Sequence, residues 1–348
     1  MSNDVIEYVK FSTLNVQDPF FSTLVEDYAG FEEWFEKKSR QDEKAYIFKE
    51  NSLRGFLYLK EEIEADNDIN PKFEKKRRLK IGTFKIEAHG TVLGERFIGL
   101  ILKQMIEDNH EECYVTIFDK QKPLIQLFEK FGFTLWGSKK NGELVYTKSL
   151  EINNDTYKDF PRIQTQNKNK FLLSIYPEYH TKLFPYSKLQ TERTHKIEDL
   201  SFTNTIQKIY LAGMKGMEII KPGDLIVIYR TAERGKSAEW SAVATSVCTV
   251  LETRNIREFN EREDFLKYCG KGTIFSEGEL NQFWTTKKYP HIIKMLYNIS
   301  LPKRIVRHDL IEQEVFGRKD YVGFLPLTNA RFEKIIELGE VNESFIID

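Results

Sequence analysis

The stretch from Arg77 to Ile106, RRLKIGTFKIEAHGTVLGERFIGLILKQMI, constrains the fold more than any other part of this chain. Leu79 to Glu87 reads as a strand and His89 to Gly94 as a glycine-punctuated turn. In the helix that follows, Phe97, Ile101 and Met105, and Ile98, Leu102 and Ile106, recur at i+4. A strand that delivers a turn into a helix amino terminus collects unpaired backbone N–H groups and the positive end of the helix dipole at one point. Such a point is a seat for phosphate.

A chain of 348 residues exceeds one typical core, so two domains are expected. Residues 1–150 form the first and 170–348 the second. Between them EINNDTYKDFPRIQTQNKNK, polar and poor in aliphatics, marks a linker over 151–169. The formal net charge of −1 gives no global nucleic-acid signature, so an RNA surface would have to be a local patch. Cys113, Cys248 and Cys269 have no metal spacing, and no metal site is expected. Apolar runs such as LIVIY are strand-sized and the amino terminus lacks a signal pattern, so the expectation is a cytoplasmic chain without a membrane span.

Along the first domain, Val5 to Leu14 suits a strand covered on both faces, and Asp18-Pro19 opens a helical stretch with Asp18 as N-cap. Ala45 to Lys49 and Arg54 to Lys60 read as a hairpin. Cys113 to Phe118 is a strand, Leu124 to Phe131 a helix closed by Gly132, and Phe133 to Trp136 with Leu144 to Lys148 a closing hairpin around Lys140-Asn141-Gly142. Aromatics at helical spacing, among them Tyr28, Phe31 and Trp34, belong to the core.

In the second domain Lys221-Pro222-Gly223-Asp224 has proline and glycine where a type II turn wants them, and it leads into the strand LIVIYRT. Ser276 and Glu279 form a capping box for a helix over Glu277 to Phe283, and a last helix spans Asn329 to Leu338. Short strands around this turn, with helices outside, predict a small barrel. The fold class expected for the whole chain is α+β: a mixed sheet flanked by helices, then a small β-barrel with peripheral helices.

Two blocks carry a resemblance. Thr91, Val92, Leu93, Gly94, Glu95 and Arg96 occupy the positions of a Gln/Arg-x-x-Gly-x-Gly/Ala loop, and Gln121, Leu124, Leu127-Phe128 and Gly132-Phe133 those of a second block. In that order and spacing they resemble the GNAT N-acetyltransferases. The resemblance implies acetyl-CoA as cofactor, its diphosphate held by backbone N–H groups from Thr91 to Arg96, with Gly94 admitting the phosphate and Arg96 either pairing with it or obstructing it. It also implies that Phe84, Lys85 and Ile86 offer backbone groups to the pantetheine amides. Phe128 stands where many members carry a tyrosine that protonates the departing thiolate, and phenylalanine cannot do so. Glu87 and His89 are the candidate catalytic bases, each equally readable as an ordinary strand end.

KPGDLIVIYRT and the strand after it resemble the PUA-like superfamily that includes ASCH and EVE domains. Gly213, Lys215 and Glu218 fit part of the ASCH signature, with an isoleucine where its arginine belongs. Tyr229, Arg230, Arg234, Lys236 and Trp240 combine rings and cations as single-stranded RNA or a modified base requires; the same mixture also describes a surface loop anchored by a tryptophan. The sequence thus points to an acetyl-CoA-dependent N-acetyltransferase of an amine, RNA-linked as in aminoacyl-tRNA and toxin-like, with an inhibitory protein partner conceivable by analogy. The alternatives are a non-catalytic RNA-binding protein on a degenerate GNAT domain, or acetylation of protein or small-molecule amines. Oligomeric state is not legible.

Overall fold

A computed structural model describes residues 6–87, 93–184, 205–270 and 273–348. His89 and Thr91 of the expected site lie outside them. The chain divides into two compact units, Met1–Asn153 and Asn154–Asp348, both of mixed α/β construction.

Unit one begins with β1 (Ile6–Lys10), α1 (Ser22–Asp27), α2 (Phe31–Arg40), β2 (Lys44–Lys49) and β3 (Leu53–Glu62). It continues through β4 (Ile69–Asn70), β5 (Arg78–Ile86), α3 (Leu93–Glu107) and β6 (Glu112–Ile117). It closes with α4 (Lys122–Lys130), β7 (Thr134–Lys139) and β8 (Leu144–Ser149). The eight strands form one sheet in the order β1-β2-β3-β5-β6-β8-β7-β4. Alternation along β3 sends Phe56 and Tyr58 to a cluster with Phe11, Phe21, Phe31 and Phe35, while α3 lies against β3, β5 and β6. Strand β1 is an edge, paired only with β2 and largely exposed, rather than covered on both faces. The first helical turn starts as expected, with the Asp18 carboxylate accepting from Phe20 N at 2.9 Å.

The basic run from Lys75 to Arg78 is absorbed by acids. Arg77 pairs with Glu61 at 2.6 Å, and the buried Arg78 lies 2.6 Å from Glu112 and over the Phe73 ring. These pairs satisfy the charges within the unit.

Unit two opens on β9 (Ile163–Gln164), β10 (Lys170–Ile175), α5 (Pro177–Leu183), β11 (Gln207–Ala212) and β12 (Leu225–Arg230). Then come α6 (Ala238–Ser241), β13 (Val243–Asn255), α7 (Arg262–Cys269), α8 (Glu277–Thr286) and β14 (His291–Val306). The last elements are α9 (Arg307–Glu312), β15 (Phe324–Leu327), α10 (Asn329–Leu338) and β16 (Ile346–Ile347). The capping box of Ser276 and Glu279 is present, and Gly223 takes φ +90° in its turn.

Two expectations are overturned here. The sheet is open, with order β11-β14-β13-β12-β10-β15, and no closed barrel forms among the described residues. Its long central strands of 13 and 16 residues shift register where they pair, and the end strands β11 and β15 do not pair with each other. The polar stretch 151–169 is not a linker beyond Asn153. Phe160 and Ile163 are buried, β9 pairs with β16, and the fully buried Asn298 donates to the carbonyls of Pro161 (3.3 Å) and Arg162 (3.4 Å) while accepting from Thr249 N. The buried amide, the β9–β16 pairing and the two buried apolar side chains together fasten the segment.

His180, on α5, is 1% exposed, and its Nε2 lies 2.9 Å from Thr245 Oγ1. Burial first, then the charges of Arg230 and Arg304, push its pKa from 6.5 down to about 3. The unfolded chain therefore takes the proton first, so stability complete above pH 6.5 is lost as the pH falls toward 3. Between pH 7 and pH 5 this histidine should remove about 2 kcal/mol. Thermal denaturation of native protein and His180→Gln at both pH values should show a shallower loss in the variant; parallel losses would exclude His180 as the cause.

Candidate functional site

Strands β5 and β6 run parallel, but only Arg78–Ile81 pair with Glu112–Val115. Beyond that point β5 stays with β3 as far as Ile86, whereas β6 stays with β8 to Ile117. The two strands part. From Gly82 to Ile86 one edge of β5 has no strand partner among the described residues, and its backbone groups are open to a ligand.

Against this edge lies a cavity of about 300 Å³. Gly82, Thr83 and Phe84 form one side, Tyr28 and Trp34 another, and Glu143 reaches it from the turn between β7 and β8. Glu143 is 6% exposed. Its Oε1 accepts from Thr116 Oγ1 (3.2 Å) and its Oε2 from Asn141 Nδ2 (2.9 Å), and its charge is felt by the Tyr28 phenol. Burial, then the Glu143 charge, hold the Tyr28 phenol well above its ordinary range, so it stays a neutral donor. A buried carboxylate set among aromatic rings suits a protonated amine, and its lone pairs can take a proton from one. Sequence reading missed both residues in this role. Asn141-Gly142 signalled the turn, but nothing local shows that the next residue points inward, and Tyr28 read as core.

The residues expected from sequence are divided by the fold. Phe84 lies on the opposite face of β5 from Lys85, with its ring 5.5 Å from Phe97 and 5.9 Å from Phe128. Phe128 is fully buried in that core. Lys85 is turned to the α1 side, donating to Thr23 Oγ1 at 2.7 Å and pairing with Glu87 at 3.0 Å. Glu87 follows the end of β5, half exposed, its N–H bonded to Arg54 O at 2.9 Å. Ile86 ends the open edge, and Gln121, exposed, precedes α4 without a side-chain cap bond.

Side chains at the start of α3 serve the packing of the unit. A Cβ on Gly94 would come within 2.7 Å of Leu127 Cδ2, so the missing side chain makes room for helix α4. Arg96 is 5% exposed, with its guanidinium 4.8 Å from the Phe48 ring centre. Glu95 pairs with Lys130 of α4, and Leu93 is buried. These side chains join helices. Any anion contact there rests on backbone N–H groups.

The five residues proposed for RNA do not share a surface. Tyr229 is 1% exposed, packed edge-on to Phe316, because β12 is covered on both faces and an alternating strand then buries its rings. Arg230 and Lys236 pair with Glu233 at 2.8 and 2.9 Å, Arg234 is exposed, and the exposed Trp240 stacks on His308 at 4.2 Å. Tyr229 cannot stack on a base.

No family model matches the chain, and no curated protein matches it. Among solved structures, a mutant ZmASCH protein from Zymomonas mobilis is similar at 10% identity and TM-score 0.32, over 49% of this chain and 97% of that one. The N-acetyltransferase PseH of Campylobacter jejuni in complex with acetyl coenzyme A is similar at 17% identity and TM-score 0.28, over 42% and 100%. Arabidopsis thaliana Naa50 with a bisubstrate analogue shares 16% identity at TM-score 0.23, over 30% and 72%.

The Gly94–Leu127 contact is testable by a double-mutant cycle. Gly94→Ala should destabilise the native chain by about 1 kcal/mol, and much less in a Leu127→Ala background, a coupling measurable by urea denaturation. Additive effects would place Leu127 out of reach of residue 94.

Proposed function

We propose that unit one is an acetyl-CoA-dependent N-acetyltransferase whose acceptor amine sits in the cavity beside Glu143. The observation that supports this most is the open edge of β5 bordering a cavity that contains a buried carboxylate. An extended ligand can add to such an edge through backbone hydrogen bonds, and the amide-bearing arm of the cofactor has the matching donors and acceptors. Bound there, acetyl-CoA supplies a thioester already activated toward amines. The chain has the remaining tasks. Glu143 holds the acceptor as an ammonium and takes its proton, Tyr28 orients the carboxylate, and Trp34 with Tyr28 shields the site from water. With Phe128 apolar, the proton needed by the leaving thiolate comes from water or from the acceptor itself.

A volume near the lower limit of ligand pockets admits one compact end of an acceptor. A free amine, a peptide amino terminus and the aminoacyl end of a charged tRNA all satisfy that limit, and the assay separates them. The buried, hydroxyl-free Phe128 favours one second reading, a unit that binds the cofactor without turnover.

Calorimetric titration with acetyl-CoA should show binding, and absence of heat together with absence of protection against thermal unfolding would sink the cofactor assignment. Radiolabelled acetyl transfer offered small amines, protein extract and charged tRNA should label one class. Glu143→Gln should slow that transfer roughly 100-fold with acetyl-CoA affinity unchanged. Cofactor binding without label in any fraction would establish the second reading.

A further inference from the structure

The cavity beside β5 carries a second kind of information in its apolar wall. Leu24 lies on α1, Tyr28 ends that helix, and Phe31 and Trp34 fall in the first turn of α2. Gly30 joins the two helices at φ +81°, a left-handed conformation that glycine adopts without strain, so side chains of both helices reach one wall. The Phe31 and Trp34 rings lie 5.3 Å apart, and Trp34 meets the rings of Phe11 and Tyr58 at 5.7 and 5.6 Å. Leu24, Tyr28 and Trp34 are only partly buried on that aromatic cluster. They keep apolar surface for a ligand to cover.

Charge in the cavity is one-sided. Glu143 is its carboxylate, and no lysine, arginine or histidine is among the described residues that line it. The cations on adjoining segments are already taken: Lys85 pairs with Glu87 at 3.0 Å, Lys120 with Asp27 at 2.5 Å and Lys38 with Glu43 at 3.3 Å. In a space of about 300 Å³, an amine held by Glu143 brings its own substituent against the rings and Leu24. A carboxylate or phosphate on that substituent would lie near Glu143 with no cation to meet it, a like-charge contact in a site that excludes water. The hydroxyls of an amino sugar would face rings and a leucine and lose the hydrogen bonds they make in water. An apolar group loses nothing there.

We infer that the acceptor is a primary amine carrying an apolar or aromatic substituent and no anionic group beside it, with Leu24, Tyr28 and Trp34 as the residues that select it. Glu143 reads the amine, the rings and Leu24 read the substituent, and the missing cation rejects acids. A free aralkylamine has this chemistry. So does an apolar amino-terminal residue whose carboxyl group is tied up as an amide or ester. The inference rests on the acetyltransferase reading for what becomes of the amine, but not for its binding.

The test titrates the full chain by calorimetry with phenethylamine, phenylalanine, phenylalanine amide and glycine amide, each with and without coenzyme A. Phenylalanine amide should bind at least roughly 10-fold more tightly than glycine amide, and phenethylamine at least roughly 10-fold more tightly than phenylalanine, which adds only the carboxylate. Tighter binding of phenethylamine than of phenylalanine amide identifies the free amine, and the reverse order identifies a peptide or ester end. Leu24→Arg, on a helix with no fully buried residue, places a cation on the wall and should shrink the penalty on phenylalanine. Trp34→Ala should level phenylalanine amide with glycine amide, and Leu24→Ala should lower the same ratio if the tryptophan variant does not fold. Phenylalanine bound as tightly as phenethylamine, glycine amide as tightly as phenylalanine amide, or no amine bound at all would overturn the inference. Selective amine binding by a chain that gives no heat with acetyl-CoA would instead remove the acetyltransferase reading and leave this site in place.

Discussion

Two parallel strands that pair for four residues and then separate set the terms for the rest of unit one. Each is claimed on its far side by a longer antiparallel partner, β5 by β3 and β6 by β8, and the twist of the two halves draws them apart. Backbone groups left at the gap need partners, which a folded chain normally provides from its own sheet. Here the sheet withholds them. The gap survives because β3 on one side and α3 packed on one face, where the Phe84 ring meets Phe97 and Phe128, hold β5 in place without the missing ladder.

Charge placement follows the same geometry. Glu143 reaches the gap from a turn, and burying it would be costly were it not met by Thr116, Asn141 and Tyr28. Arg78 and Glu112, equally buried but near the point where the strands still pair, close on each other and on Phe73. The first carboxylate borders the cavity beside β5, and the second is closed in an ion pair with Arg78.

Much of the secondary structure was legible because its signals are local. A capping box at Ser276 and Glu279, the Pro-Gly turn before β12, Asp18 ahead of Pro19 and the i+4 stripe of α3 each depend on residues within one or two turns. The candidate site was legible only in part. The strand carrying Phe84 to Ile86 was found, but Arg96 and Tyr229 were read as outward-facing on chemistry alone. Arginine stacked inward on Phe48 and tyrosine buried beside Phe316 depend on what the opposite element supplies.

By itself the sequence determined that a strand and then an amphipathic helix would form between Arg77 and Ile106, since the hydrophobic period acts over a few residues. Tertiary structure alone decided that β5 would leave β6 after Ile81, that Gly94 would seat Leu127, and that Glu143 would meet Tyr28 across more than a hundred residues. It also decided that the polar segment after Asn153 would be held by Asn298 and that the second sheet would stay open. Those outcomes depend on packing between distant segments, where the identity of the partner, not the residue's own preference, sets the free energy.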